Sequence, residues 1–435
     1  MKKKMVFGAT ALVSALSLVG CGGTNTADGN EVEIVKDITE PVSIEFWHSM
    51  SGAFTDTIAE IVADFNSTVG AEKGIEVNAV YQGGYDDVKA KTVASIKAGN
   101  SPEIVQGTVN NIMEYIQSGY VQPLDAYIFD EEIGIENFED IYDVYRVENS
   151  SYDESGQFYS LPFAKSTDLL YYNESFFNEH GLTPPTTWEE VETVAKQITD
   201  ITGKAGFSID NLPNYLVTYL FQNDAEYTGK NGEILFNNET SLEALNTLKK
   251  NFDAGIWRIA GEDKYSSAPF LAENVHMYIG SSAGEGFLAG ATFDWATTTI
   301  PQVDHENPKY IQQGSNVAVL NQGKTAEEVF GAYEFVKYLC SEEVTLKWST
   351  NTGYLPLRKS VANSDEFKAY IEESGSKTKE SATKSVENGF VENVFNTDTY
   401  SSNMVRNEVG AMVEDVILGG MNPQDALDLY ESRLK

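Results

Sequence analysis

The chain reads as an α/β protein of two lobes, and two observations predict it. Short apolar strand patterns alternate with helical ones through most of the 435 residues, the order expected of a sheet with parallel strands covered by helices. With 41% hydrophobic residues, the chain also exceeds what a single apolar core holds, so it should divide. Residues 42–47 (VSIEFW) alternate as a strand, and 57–65 (TIAEIVADF) repeat apolar residues at helical spacing. Ile75–Tyr81 is a second strand; Gly83-Gly84-Tyr85 leads into a helix through Lys97, stopped by Ala98-Gly99-Asn100; and 103–106 (EIVQ) is a third strand. Downstream, 169–173 (LLYYN) runs as a strand into a short helix over 174–179, and Pro184-Pro185-Thr186-Thr187 makes a turn and a capped helix start. Residues 275–280 (VHMYIG) form a strand and Ala326–Leu339 a helix. No repeat of fixed period is present, which excludes solenoids and propellers.

The N-terminus says where this body works. Lys2, Lys3 and Lys4 precede an apolar stretch over 5–19, then Gly20 and Cys21; the pattern resembles a bacterial lipoprotein signal. The resemblance implies that 1–20 are removed, that Cys21 is acylated, and that 21–41 are a flexible tether to the membrane, consistent with the composition of 22–30 (GGTNTADGN). An apolar core of roughly fifteen residues is short for a span, which needs about twenty. Losing three lysines takes the formal charge from -36 to -39. Such a body repels polyanions and anionic surfaces, so nucleic acid is excluded as a partner, and a phosphate ligand would need local attraction. With Cys21 lipidated, Cys340 has no disulfide partner and reads as a buried apolar filler at the end of a helix.

Catalytic motifs are thin. His48, His180, His276 and His305 are scattered, with no metal-ligand spacing, and no cofactor is expected. Gly323-Lys324-Thr325 lacks the first glycine of a phosphate loop, since Ala318 stands there. Gly280-Ser281-Ser282-Ala283-Gly284 fits a hydrolase elbow after a strand, yet only His305 follows it, too close for the usual triad order. Small residues in a tight turn explain the match better. Among 66 acidic residues, adjacent carboxylates arise by chance. The chain is read as not an enzyme. Trp47, Trp257, Trp295 and Trp348 sit mostly in apolar patterns and read as core packing, and Trp188 as helix-start packing.

Six segments carry a resemblance that spans the mature chain: Phe46-Trp47-His48-Ser49-Met50, Gly83-Gly84-Tyr85, 161–167 (LPFAKST), Leu170-Tyr171-Tyr172-Asn173, Thr352-Gly353-Tyr354-Leu355-Pro356 and Pro423-Gln424-Asp425-Ala426-Leu427. Together they resemble the extracellular solute-binding proteins of ABC importers, most closely the sn-glycerol-3-phosphate-binding branch. The resemblance implies a periplasmic-binding-protein-like fold, with a ligand cleft between lobes joined by several hinge crossings. Lobe 1 would hold 42–163 plus 300–340, and lobe 2 would hold 164–296 plus 346–435. Phosphate contacts carried over by position fall on Ser166, Ser281, the backbone at Gly314, Tyr354 and Arg406, and a polyol contact on Tyr85. The set is chemically apt: hydroxyls and a backbone N–H donate to phosphate oxygens, and one guanidinium adds a charge-assisted pair. Each has a plainer role beside it. Arg406, one of five arginines, could be a surface ion pair; Ser281 a helix cap; Ser166 a hinge residue; Gly314, Tyr85 and Tyr354 turn residues.

One departure bears on specificity. Where the branch has a glutamate that accepts from the glycerol hydroxyls, this chain places Val109. A site lacking that acceptor discriminates polyols less, so a glycerophosphodiester or another phosphorylated polyol suits it as well as glycerol 3-phosphate. The implied partners are permease and ATPase subunits of an ABC importer, reached by a monomer held at the membrane through its lipid. An oligosaccharide receptor is the alternative, and a surface hydrolase or adhesin a more distant one.

Overall fold

The computed structural model describes residues 33–435; the leader, Cys21 and the first part of the tether lie outside the described residues. Ten strands form the framework: β1 Val42–His48, β2 Ile75–Tyr81, β3 Ile104–Gly107, β4 Leu161–Asn173, β5 Phe207–Ile209, β6 Trp257–Ile259, β7 Met277–Ser281, β8 Trp295–Thr299, β9 Tyr310–Val319 and β10 Gly389–Phe390. Their order is β2-β1-β3-β9-β4-β7-β5-β6, with β10 beside β9 and β8 beside β4.

The expectation of a parallel sheet holds only at the two ends. β1 pairs in parallel with β2 and β3, and β5 with β6 and β7. In between, β3–β9, β9–β4, β4–β7 and β4–β8 are antiparallel, so the sheet is mixed. The cause lies in two long strands that cross from one lobe to the other in opposite directions. The first half of β4 pairs with β9 through Thr167, and its second half, from Asp168, lies between β7 and β8. All but one of its thirteen residues are buried, which suits a strand covered on both faces.

Apolar side chains follow this division in part. Ile44, Phe46, Phe65, Val319 and Phe335 belong to one buried cluster, which also takes in Leu169, Phe270 and Tyr278 from beyond the crossing, and Val191, Ile198, Leu216, Leu245, Val409 and Met412 belong to another. Helices over the first lobe use the expected 3.6 spacing: Ala53–Ser67 turns Ile58, Ile61, Val62 and Phe65 inward. The helix Trp188–Thr202 starts with a capping box between Thr187 and Glu190, which satisfies N–H groups that the helix cannot. Residues beyond 346 divide their contacts. Trp348 stacks on Phe163 at 4.7 Å, and the buried Arg358 donates to the carbonyls of Cys340 at 2.6 Å, Asn137 at 3.1 Å and Glu136 at 3.3 Å. That stretch therefore packs within the first cluster before the chain reaches the second one through the helix Ser402–Ile417.

Candidate functional site

Strand pairing brings three of the six candidate positions, Ser166, Gly314 and Ser281, to one place. Ser166 is opposite Gln313, Gly314 opposite Lys165, and Asp168 opposite Ser281. Directly opposed residues share a face, and alternate residues along a strand return to it. Ser315, Gln313, Ser166, Asp168 and Ser281 therefore line one continuous polar face where the chain crosses between lobes. Gly314 makes the crossing possible: its φ is +116°, and a Cβ there would sit 2.0 Å from the Ala164 carbonyl oxygen, which no other residue could accommodate.

Phenols and hydroxyls make up one end of this face. Tyr85 opens the helix Tyr85–Ala98, and its hydroxyl lies near the side chains of Ser315, Tyr354 and Ser49. Burial pushes both phenols above their usual range, Tyr354 far above it, so both remain protonated donors. Gln106 at the end of β3 fixes their neighbours. Its Oε1 accepts from Ser49 N at 2.9 Å, and its Nε2 donates to Ser315 Oγ at 2.6 Å. Tyr354 stacks on Trp348 with centroids 5.6 Å apart, and its hydroxyl lies 3.7 Å from the Met50 sulfur. Lys379, also buried, donates to the carbonyls of Thr352 at 2.8 Å and Tyr354 at 2.5 Å, holding the turn that carries Tyr354. Burial lowers its amine to about 7.

The other end is charged. Arg406, in the second turn of Ser402–Ile417, donates through Nη1 to Glu392 Oε1 and through Nη2 to Asn214 Oδ1 and, at 3.3 Å, to Asn211 Oδ1. Its side chain is 20% exposed and that of Glu392 15%. Burial works against its charge, but Glu392, Tyr227 and Asp168 together more than restore it. Asn214 Nδ2 in turn donates at 2.8 Å to both Asp168 Oδ2 and Gln313 Oε1, and Gln313 Nε2 donates to Asp168 Oδ1 at 2.8 Å. Through this relay Arg406 joins the face that holds Ser166 and Ser281. Burial holds the Asp168 carboxyl above its usual range, against the bonds from Asn214 and Gln313 and the charge of Arg406.

The plainer roles also have support. Ser281 caps a 3-10 turn, accepting from Ala283 N at 3.2 Å, and Arg406 does form an ion pair. Val109 starts the helix Val109–Ile116 and packs, partly buried, against the cluster that holds Val105 and Ile112, while its neighbour Asn110 accepts from Ser402 Oγ. Ser282 of the elbow sequence is buried and accepts from Thr167 N at 3.3 Å, so its hydroxyl is a structural bond. Cys340 is buried, its thiol pushed up to about 12 by burial, as a packing residue should be. Trp257 and Trp348 are buried. Sequence reasoning missed Asp168, Asn214, Gln313 and Gln106, because a polar residue inside a strand or helix pattern carries no label until its neighbours are known. It also missed Tyr265 and Phe287, a stacked pair with centroids 5.8 Å apart, each more than half exposed. Tyr265 lies close enough to act electrostatically on Tyr85 and Tyr354. Among the described residues, no cluster of His, Cys, Asp and Glu is arranged to hold a metal ion, and no helix is long and apolar enough to cross a membrane.

Two lobes, two strands crossing between them and a polar face at the crossing define a solute receptor of the two-lobed class. Residues 60–373 match the model of the bacterial extracellular solute-binding proteins, and the chain belongs to that family. The sn-glycerol-3-phosphate-binding periplasmic protein UgpB of Yersinia pseudotuberculosis is 25% identical over 72% of this chain and 74% of its own length. The protein of the same name in Salmonella typhimurium is 25% identical over 90% and 91%. In fold, the chain is similar to UgpB of Mycobacterium tuberculosis in complex with glycerophosphocholine, at a TM-score of 0.78 and 20% identity over 90% of this chain and 97% of that one. It is also similar to the cyclic α-maltosyl-1,6-maltose binding protein of Arthrobacter globiformis, at a TM-score of 0.74 and 22% identity over 91% and 98%. The protein is thus an extracytoplasmic solute-binding protein of ABC importers and not an enzyme.

Proposed function

We propose that the ligand is glycerol 3-phosphate, a glycerophosphodiester or a similar phosphorylated polyol, taken between the lobes with its phosphate toward Arg406 and its hydroxyls toward Tyr85. The observation that carries this reading is the relay from Arg406 through Asn214 to Asp168 and Gln313, on the face that also holds Ser166 and Ser281. One guanidinium beside several hydroxyls is the donor set that a phosphate ester needs. The names of the Yersinia and Salmonella relatives, and the glycerophosphocholine in the Mycobacterium structure, support the same chemistry. A ligand that touches both lobes favours the closed form by its difference in affinity between closed and open states. That form is the one a permease and its ATPase subunits would read.

A neutral oligosaccharide is the second reading. It is favoured by Glu392, which already occupies Arg406, and by the exposed Tyr265–Phe287 stack, since aromatic faces suit sugar rings. Thermal melting of the mature protein separates the two. Glycerol 3-phosphate, glycerophosphocholine, inorganic phosphate, maltose and raffinose are compared, and a ligand at 100 times its dissociation constant should add about 2.7 kcal/mol. Stabilisation by a neutral sugar alone removes the phosphate reading.

Cys21 would keep this receptor, as a monomer, at the membrane beside its importer. A Cys21→Ala variant should appear in the medium or the soluble envelope fraction, and gel filtration should give one chain per particle. A variant that stays with the membrane removes the lipid anchor from the reading.

A further inference from the structure

The phosphate reading gives Asp168 a place in the relay from Arg406 but leaves its negative charge without a part to play. Asp168 stands on β4 between the two candidate serines, two residues beyond Ser166 and opposite Ser281. It is 4% exposed. Both of its oxygens are fastened, Oδ1 by Gln313 Nε2 and Oδ2 by Asn214 Nδ2, each at 2.8 Å. A carboxylate held this way cannot swing aside when an anion arrives, so its charge is a fixed feature of the face.

Local charge is unbalanced around it. Arg406 supplies one positive charge, and Glu392 and Asp168 supply two negative ones within the same hydrogen-bonded group. Asp210 adds a third carboxylate, close enough to feel the charge of Asp168. The nearest buried lysine in sequence, Lys165, is committed to Glu148 and Asn316. Its register partner is Gly314, so alternation turns it to the opposite face of the strand from Ser166 and Asp168. A phosphomonoester brings about 1.5 to 2 negative charges at neutral pH, whereas a phosphodiester brings one. Specificity is a difference of affinities, and a repulsive group raised against the wrong ligand contributes as much as an attraction to the right one.

We propose that Asp168 is a specificity-determining residue that disfavours doubly charged phosphomonoesters and so tunes this receptor to singly charged phosphodiesters, including those with a cationic head group. The inference rests on the reading of the cleft as a site for a phosphorylated polyol. It narrows that reading from phosphorylated polyols in general to diesters.

The test uses two probes that share a polyol and differ by a charge: sn-glycerol 3-phosphate and its methyl diester. Both are titrated calorimetrically into the full-length wild-type protein and into Asp168→Asn, an isosteric change that keeps one acceptor oxygen. The wild type should prefer the diester at least tenfold. Asp168→Asn should cut that preference by tenfold or more, mainly by binding the monoester tighter. Equal binding of the two probes by the wild type, or an unchanged ratio in a folded Asp168→Asn, overturns the role of Asp168 while the phosphate reading stands. Should Asp168→Asn fail to fold, the wild-type ratio alone decides. Binding of neither probe by the wild type, with binding of maltose or raffinose, overturns the phosphate reading and this inference with it.

Discussion

The two ends of the polar face solve the burial of polar groups in opposite ways. At the Tyr85–Tyr354 end, neutral hydroxyls gather around the Gln106 amide, which bonds Ser49 and Ser315, and no carboxylate takes part. At the Arg406 end, a guanidinium, two carboxylates and three amides form one network. Neutral donors can exchange a bond to each other for a bond to a ligand at little net cost, since a hydrogen bond contributes only about 0.5 to 1.5 kcal/mol. Buried charges cannot, because each depends on its partner. The hydroxyl end should therefore tolerate substitution and change affinity by degrees, and the charged end should respond steeply to any change in charge.

Arg406→Ala should have the largest effect. It leaves Glu392 without its cation and should cost about 3 kcal/mol of stability, together with all response to phosphorylated ligands; melting with and without ligand reads both. The paired variant Arg406→Met with Glu392→Gln should recover most of the stability and none of the binding. Retained binding in either variant would break the contrast between the ends.

Gly314→Ala comes next, at roughly 2 to 3 kcal/mol, because an alanine Cβ meets the Ala164 carbonyl at 2.0 Å and the φ of +116° is strained for it. Chemical denaturation measures the loss. The two ends join at this position, so both should weaken together.

Asp210→Asn sharpens the charged end through pH. Burial raises the Asp210 carboxyl to about 6, so the folded state holds its proton more tightly than the unfolded chain does. That contribution is complete below the ordinary 3.8 and is lost as pH rises through 6. A permanently neutral asparagine should thus leave stability unchanged at pH 4 and raise it by about 2 kcal/mol at pH 8, read as a melting difference that opens with pH. A constant difference at both pH values would show that the side chain acts through packing alone.

Tyr85→Phe and Tyr354→Phe should each weaken ligand binding by about 1 kcal/mol and barely move the melting point. The smallest change in stability is expected from Tyr265→Ala, under about 0.5 kcal/mol, because the ring is exposed. A large loss of sugar binding in that variant would favour the oligosaccharide reading.

Much of the fold was legible in sequence because its signals are local. The helix over Ala326–Leu339 has the bounds its periodicity predicts, and β1 and β2 fall where alternation places them. β9 was not legible: YIQQGSNVAV mixes polar residues into a run that pairs on both sides, and only its neighbours explain why Gln313 lines the polar face and Asn316 is buried. The antiparallel centre was hidden for a related reason. A strand pattern carries no direction, so the reversal between β4 and β9 exists only once both cross the hinge.

Sequence by itself determined the class of elements, the acidic body and the family, since composition, period and motif are properties of contiguous residues. It also named Arg406 and Tyr85, through resemblance. Only the tertiary structure decided that Arg406 is held by Glu392 and that Asp168, Asn214 and Gln313 stand between it and Ser281. Charge acts through space over a few ångströms, and residues 168, 214, 313, 392 and 406 share that space only after the chain has crossed between its lobes.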